Sequence, residues 1–244
     1  LTGYSAVWII FSFCPIISLR KSLEQPPEGR IPMRRMSPAD RLLDELQHGL
    51  QTCHQRPPAT ARGYPASSVD DGELSVREQA HAAGLMRVNN AGEVAAQGLY
   101  RGQALTAREQ AVSGAMQQAA AEENEHLNWC QRRLTELGRR RSLLDGAWYW
   151  GSFAIGALAG MAGDKWSLGF VKETEQQVCA HLDKHFERLP EADRRSRAII
   201  EAMRTDEARH AEQAAAAGAA ELPAPVKAAM TLVSKVMTFS AYRI

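Results

Sequence analysis

From Glu73 to the carboxyl end, apolar residues recur every three to four positions among Ala, Leu, Gln, Glu and Arg, with no strand-like alternation between turn signals. That period belongs to helices with one buried face. It predicts helices near 74–104, 107–137, 146–162, 165–188, 191–219 and 224–240. A shorter one begins at Ser37-Pro38 and runs through ADRLLDELQHGL. Thr106-Ala107-Arg108-Glu109 has the form of a capping box, with Thr at the N-cap and Glu three positions on, and predicts a helix start. Gly138 after TEL reads as a helix stop, and Leu189-Pro190-Glu191-Ala192-Asp193 as a turn between two periodic segments. The expected fold is all-α: a bundle of two long helical hairpins joined by residues 138–165, which contain an apolar connecting helix.

Three regions follow from this pattern. Residues 73–244 form the helical domain. Residues 36–72 hold the short helix and a linker, because 55–72 (QRPPATARGYPASSVDDG) is rich in Pro, Ser, Ala and Gly. Residues 1–35 are expected to be an extension, either an anchor or a segment foreign to the folded protein. Their first 19 residues lack charge and precede Arg20 and Lys21. A secretory signal would carry its cations before the apolar run, and Pro15 with several polar residues weakens a membrane span.

A second uncharged stretch changes the picture more. Gly146 to Gly163 runs 18 residues with five glycines, crowds Trp148, Tyr149 and Trp150 at one end, and is followed by Trp166. Arg139, Arg140 and Arg141 stand just before it. Aromatic and cationic residues flanking an apolar run suit a segment at a membrane interface, with burial in the bundle as the competing reading. These four aromatic residues are the candidates for membrane contact and substrate access.

Composition narrows the function classes. The net charge of +1 gives no global field for nucleic acid. Cys14, Cys53, Cys130 and Cys179 are scattered without a C-x-x-C pair, which argues against a disulfide framework or a thiolate zinc site and fits a reducing compartment. No G-x-G-x-x-G run is present for a flavin or a nicotinamide.

The chemistry lies in a repeated acid and histidine pattern. EENEH supplies Glu123 and His126, and DEARH supplies Glu207 and His210. In a helix, positions three apart point to one side, so each pair can bind one cation. Glu93 precedes Glu123 by 30 positions and Glu175 precedes Glu207 by 32, with midpoints at the two expected turns. Each hairpin therefore returns its Glu-x-x-His to the height of its lone Glu. Two such hairpins would gather four carboxylates and two imidazoles at mid-bundle. Burying these carboxylates together without cations would be prohibitively unfavourable. Two divalent metals resolve that, and this donor set is the one of di-iron and di-manganese carboxylate bundles. Glu93, which has no basic residue three or four positions away, then has metal as its partner.

Neighbouring residues are placed by the same geometry. Asp206 and Glu122 immediately precede the motif glutamates, and Asp206 is a candidate to hold a ligating histidine from outside. Tyr100 lies seven positions after Glu93 on nearly the same stripe. His181 and His185 follow Glu175 on its helix, and His185 is expected at the surface. Glu173 would lie on another face.

The segments RVNNAGEVAAQGLYRGQ, AAEENEHLNWC, WYWGSFAIGALAGMAGDKWSLGFVKETEQQVCAHL and MRTDEARHAEQA resemble the demethoxyubiquinone hydroxylase family over about residues 74–244. Asn89-Asn90-Ala91 departs from the usual family pattern at a position that is not a ligand. The resemblance implies a ferritin-like bundle, two iron ions per chain held by Glu93, Glu123, His126, Glu175, Glu207 and His210, and O2 as co-substrate. It implies ring hydroxylation of 2-polyprenyl-3-methyl-6-methoxy-1,4-benzoquinol in ubiquinone biosynthesis. It further implies an external electron donor, other ubiquinone-biosynthesis proteins as partners, and a peripheral place on the cytoplasmic face of a bacterial membrane or the matrix face of the mitochondrial inner membrane. His181 falls where the family carries a histidine near the site. The rival readings keep the metals but change the chemistry (ferroxidase, peroxidase or manganese catalase), or make the chain a non-catalytic helical protein of the membrane surface.

Overall fold

Several helix boundaries in the computed structural model are set by residues that satisfy free backbone groups, as at Ser75, Gly138 and Asp193. The structure describes residues 37–57 and 62–244, so the expectations for residues 1–35 lie outside it. The helices are α1 (Pro38–His54), α2 (Val76–Thr106), α3 (Gln110–Glu136), α4 (Asp145–Ala162), α5 (Asp164–Arg188), α6 (Arg194–Ala216) and α7 (Ala224–Ala241), and the described residues contain no strand.

α2 opens on a true capping box: the Glu78 N–H donates to Ser75 Oγ at 3.3 Å, and the Ser75 N–H donates to Glu78 Oε2 at 2.9 Å. α3 closes on Gly138 at φ +64, whose N–H donates to Thr135 O while the Arg139 N–H donates to Leu134 O. This paired arrangement satisfies the last carbonyls and favours glycine at the left-handed position. α6 is capped by Asp193, which accepts from the Ser196 N–H at 3.0 Å.

The expected capping box at Thr106 does not form. Thr106 ends α2, and its hydroxyl donates to Gly102 O and Ala157 O instead. Glu109 becomes the N-cap of α3 without a side-chain bond. The Asp164 carboxylate, from the start of α5, takes the Arg108 and Glu109 N–H groups at 3.0 and 2.9 Å. A tertiary acceptor has displaced the local one.

α2 pairs with α3 and α5 with α6 as two hairpins, with turns at 107–109 and 189–193. Each of the four long helices crosses two apolar clusters. Leu85 and Met86, Trp129 and Leu134, Leu182, and Ile199 with Met203 form one. Tyr100, Val112 and Met116, Leu168 with Val171, and Ala214 form the other. Along every helix the acids and histidines fall between the two. Each fully buried Leu, Ile or Met contributes about 1.5–3 kcal/mol relative to exposure, so the apolar layers can clamp a polar layer that would not hold itself.

α4 lies against α2 at backbone contact. A Cβ at Gly98 or Gly102 would collide with the α4 carbonyls of Tyr149 and Phe153, and one at Gly156 with Leu99 O. The aromatic start of α4 is packed inward: Tyr149 is fully buried, Trp148 rests against the Val88–Ala91–Ala241 cluster, and Trp150 lies edge-on to Tyr149 and Phe153. Exposed apolar side chains come from the later half, Ile155, Leu158 and Met161, and from Trp166 at the start of α5. No helix among the described residues is long and apolar enough to cross a membrane.

Candidate metal centre

All six residues of the repeated pattern meet between the two apolar clusters, and all are buried. His126 Nδ1 lies 2.8 Å from Glu123 Oε2, 3.0 Å from Glu207 Oε1 and 3.8 Å from Glu93 Oε2. His210 Nδ1 lies 3.2 Å from Glu207 Oε2 and 3.3 Å from Glu123 Oε1. Glu93, Glu123, His126 and Glu207 can each turn one donor atom into a space within 4.8 Å of the others. Glu175 joins through Glu207 on one side and through Tyr100, whose buried hydroxyl donates to Glu175 Oε1, on the other. Glu123 Oε1 is buried, and the His210 ring nitrogen near it lies outside hydrogen-bond geometry.

Both histidines are held from outside in a crossed pattern. Asp206, beside Glu207 on α6, faces His126 Nε2 of α3 at 3.0 Å. Glu122, beside Glu123 on α3, faces His210 Nε2 of α6 at 2.7 Å. An outer carboxylate on Nε2 orients Nδ1 toward the four inner carboxylates, which is how proteins present imidazole to a cation. Asp206 also takes Arg62 Nη1 at 2.7 Å. The role of Glu122 is the one sequence reasoning missed. Its signal was available: both motifs read acid-Glu-x-x-His, and the first acid is repeated as regularly as the second.

Protonation exposes the tension in the cluster. Burial first, then the neighbouring Glu123 and Glu207, push Glu93 well above the usual carboxylate range despite the nearby His126. Glu175 is raised in the same way. Burial opposes charge on both imidazoles, yet the carboxylates beside them prevail: His126 is raised well above its ordinary value and His210 to about 11. Burial also opposes charge on Glu123, but the two imidazoles hold it below its usual value. Only some of these groups can ionise together without added positive charge. The donor set of four carboxylates and two imidazoles fits two divalent cations of intermediate hardness.

One side of the cluster opens to a groove of about 370 Å³, with Glu93, Glu123, Glu175 and Glu207 on its floor. Its walls are mainly apolar, from Ala96 and Leu99 of α2, Phe170 and Val178 of α5, and Met230 and Val233 of α7. His126 and His210, though buried, are not part of its lining. His181 lines the groove, its Nε2 is buried without a partner, and its ring is tilted against that of His185 with the centroids 3.8 Å apart. Burial holds His181 down at about 4.

His185 is buried rather than exposed, which corrects the expectation from sequence: its Nδ1 pairs with Asn89 Oδ1 of α2 at 2.7 Å. The partner lies across the hairpin boundary, where helical periodicity on α5 alone could not find it. Glu173 does face away from the cluster, accepting from Gln177 and pairing with Lys227 at 3.1 Å.

Comparison with known proteins bears on this geometry. The family model described as ubiquinone biosynthesis protein COQ7 matches residues 80–241. The chain is 57% identical over 205 residues to the 3-demethoxyubiquinol 3-hydroxylase of Chromobacterium violaceum, covering 84% of this chain and 99% of that one. It is 56% identical over 213 residues to the protein of the same name from Xanthomonas oryzae pv. oryzae, covering 87% and 98%. To the Nitrosococcus oceani protein of that name it is 56% identical over 209 residues, covering 86% and 98%.

Proposed function

The chain belongs to the COQ7 family of ubiquinone biosynthesis proteins, and from that premise we propose that it hydroxylates the ring of demethoxyubiquinol at the buried acid–histidine cluster. The enzyme is a monooxygenase of the 3-demethoxyubiquinol 3-hydroxylase type. The observation that carries the site assignment is the meeting of four buried carboxylates with two imidazoles, the carboxylates lying at the floor of an apolar groove.

In this reading Glu93, Glu123, His126, Glu175, Glu207 and His210 hold two iron ions. Two bound iron ions would supply O2 activation, with one oxygen atom entering the ring as the hydroxyl and the other leaving as water, reduced by two electrons and two protons from outside the substrate carbon. The chain's own groups do the rest. Asp206 and Glu122 fix the imidazole rings with Nδ1 inward. Tyr100 fixes Glu175. The apolar walls admit a quinol ring with its isoprenoid tail and exclude bulk water, which strengthens every charge interaction inside. Neutral His181 presents a buried ring nitrogen to the groove, where a quinol hydroxyl can meet it. The electrons come from an external donor.

The apolar groove favours this reading over ferroxidase, peroxidase or catalase chemistry, whose small substrates need no such channel. Exposed Leu158 and Met161 of α4, with Leu232, Val236 and Phe239 of α7, give the helices that line the groove an apolar outer face. We therefore assign the enzyme to a membrane surface, where a polyprenyl quinol resides. The test is a quinone mass spectrum from cells lacking their own demethoxyubiquinol hydroxylase. With this chain supplied, full ubiquinone is expected, and with its Glu207→Ala form only the precursor short of one methoxy group. Full ubiquinone from Glu207→Ala would overturn the site; precursor alone from both would overturn the substrate.

A further inference from the structure

Away from the acid–histidine cluster, uncompensated charge concentrates where α3 gives way to α4. A cavity of about 790 Å³ is lined there by Arg56, Arg132, Arg139, Arg140 and Arg141. A second, of about 470 Å³, is lined by Arg87, Arg139, Arg140 and Arg243. Arg139 and Arg140 border both. The acids of the first cavity are already engaged. Glu136 pairs with Arg132, Arg133 and Arg195 at 3.4, 3.2 and 2.8 Å. Asp145 Oδ2 accepts from Asn90 and faces Arg141 at 3.8 Å. Among the described residues no carboxylate lies within 4.0 Å of the guanidinium groups of Arg139, Arg140 or Arg243. Arg87 spends its donors on the carbonyls of Arg140, Ala241 and Tyr242. Burial first, then Arg140 and Arg139, lowers its affinity for its proton. Like charges gathered in this way call for an anion.

The position of these cations narrows the choice of anion. Arg243 stacks its guanidinium over Phe239, 3.7 Å from the ring centre. Phe239 is 64% exposed and ends the apolar strip of α7 that includes Leu232 and Val236. The arginines thus continue directly from an apolar edge. A soluble phosphate has no use for that edge, whereas a phospholipid needs both parts, phosphate above and hydrocarbon below.

We propose that Arg139, Arg140 and Arg243 bind the phosphate groups of anionic phospholipid headgroups while the apolar face of α7 and α4 enters the interface. This rests on the membrane-surface reading above and adds to it a lipid preference and an orientation. Each such arginine near an anionic surface is worth roughly fivefold in affinity, so the three together should give at least about a tenfold preference for anionic vesicles.

The test uses the metal-loaded full chain in vesicle flotation, with phosphatidylcholine vesicles or the same containing phosphatidylglycerol. Arg139→Gln/Arg140→Gln/Arg243→Gln is compared with Arg77→Gln/Arg194→Gln/Arg204→Gln, an equal charge change at exposed positions elsewhere. Helix content and thermal midpoint check folding, and inorganic pyrophosphate is added as a soluble competitor. The expected result is a phosphatidylglycerol preference lost in the first variant and kept in the second, with unchanged binding to phosphatidylcholine. Equal loss in both variants, or wild-type binding without lipid preference, would overturn the arginine site and leave the membrane surface standing. No binding to either vesicle would overturn both. Pyrophosphate displacing the enzyme from vesicles at micromolar concentration would make the ligand a soluble phosphate instead.

Discussion

At the scale of single residues, the crossed outer carboxylates make a measurable claim. Asp206 orients His126 and Glu122 orients His210, and losing such a partner typically lowers metal affinity by 10–100-fold. Asp206→Ala should therefore bind iron roughly that much more weakly while retaining helix content, as competition with a chelator would read; unchanged affinity would remove Asp206 from the site. Protonation gives a second expectation. In the metal-free chain Glu93 and Glu175 hold their protons above the usual carboxylate range, and His126 and His210 hold theirs above the usual imidazole range. A divalent cation must displace those protons, so loading should release protons and tighten as pH rises, on the order of tenfold per pH unit for each proton released. Calorimetric titration in buffers of different ionisation heat measures the release directly. A heat independent of buffer would contradict it. The His181–His185 pair acts in the opposite direction. Burial lowers both below their ordinary value, His181 to about 4, so an unfolded chain takes up protons that the folded one refuses. Stability contributed by the neutral pair is intact above about pH 6.5, the unfolded value, and is lost as pH falls toward 4. A urea midpoint that declines over that interval, and declines less in His185→Asn, is the expected outcome.

At the scale of elements, the α2–α4 contact sets a steep requirement. Gly156 meets Leu99 O of α2, whereas Gly151, one and a half turns earlier on α4, faces open space. Gly156→Val should cost on the order of 1–3 kcal/mol through overpacking, visible as a thermal midpoint lowered by several degrees. Gly151→Ala should be neutral or stabilise by up to about 1 kcal/mol through helix propensity. Equal effects at both positions would show that backbone approach is not what the glycines serve. The same contrast explains what could be read from sequence. The long helices were legible because their periodicity, the Gly138 stop and the proline turn are local signals, and so was the level meeting of Glu93 with Glu123 and of Glu175 with Glu207. Three features depended on partners distant in sequence and were not legible: Asp164 displacing the Thr106 cap, Asn89 burying His185, and α1 with α2 enclosing the aromatic start of α4. The exposed apolar face consequently moved from Trp148 and Trp150 to Leu158, Met161 and α7.

At the scale of the whole molecule, the acid–histidine layer has two parts with different tasks. Outside the groove lining, His126 and His210 are fixed by outer acids, and those acids are tied to Arg62 and Arg209. Within the lining, the four glutamates face the groove whose outer wall is α7. If the glutamates hold metal and the groove above them holds substrate, as proposed, the two functions should be separable by mutation. Val233, half-exposed on α7 and lining the groove, provides the means. Tryptophan there would fill the groove proposed to take a quinol or its tail, in a lining that contains neither His126 nor His210 nor an outer carboxylate. We expect Val233→Trp to load iron with wild-type stoichiometry and affinity. Its kcat/KM for demethoxyubiquinol should fall by at least about tenfold, the cost of roughly 1.4 kcal/mol in transition-state binding. The loss should be greater for long-tailed substrates than for a tailless ring, because the tail is what must pass α7. Lost iron in Val233→Trp would mean that the metal layer and the groove are one mechanical unit, and an unchanged kcat/KM would mean that the quinol reaches the glutamates by another path.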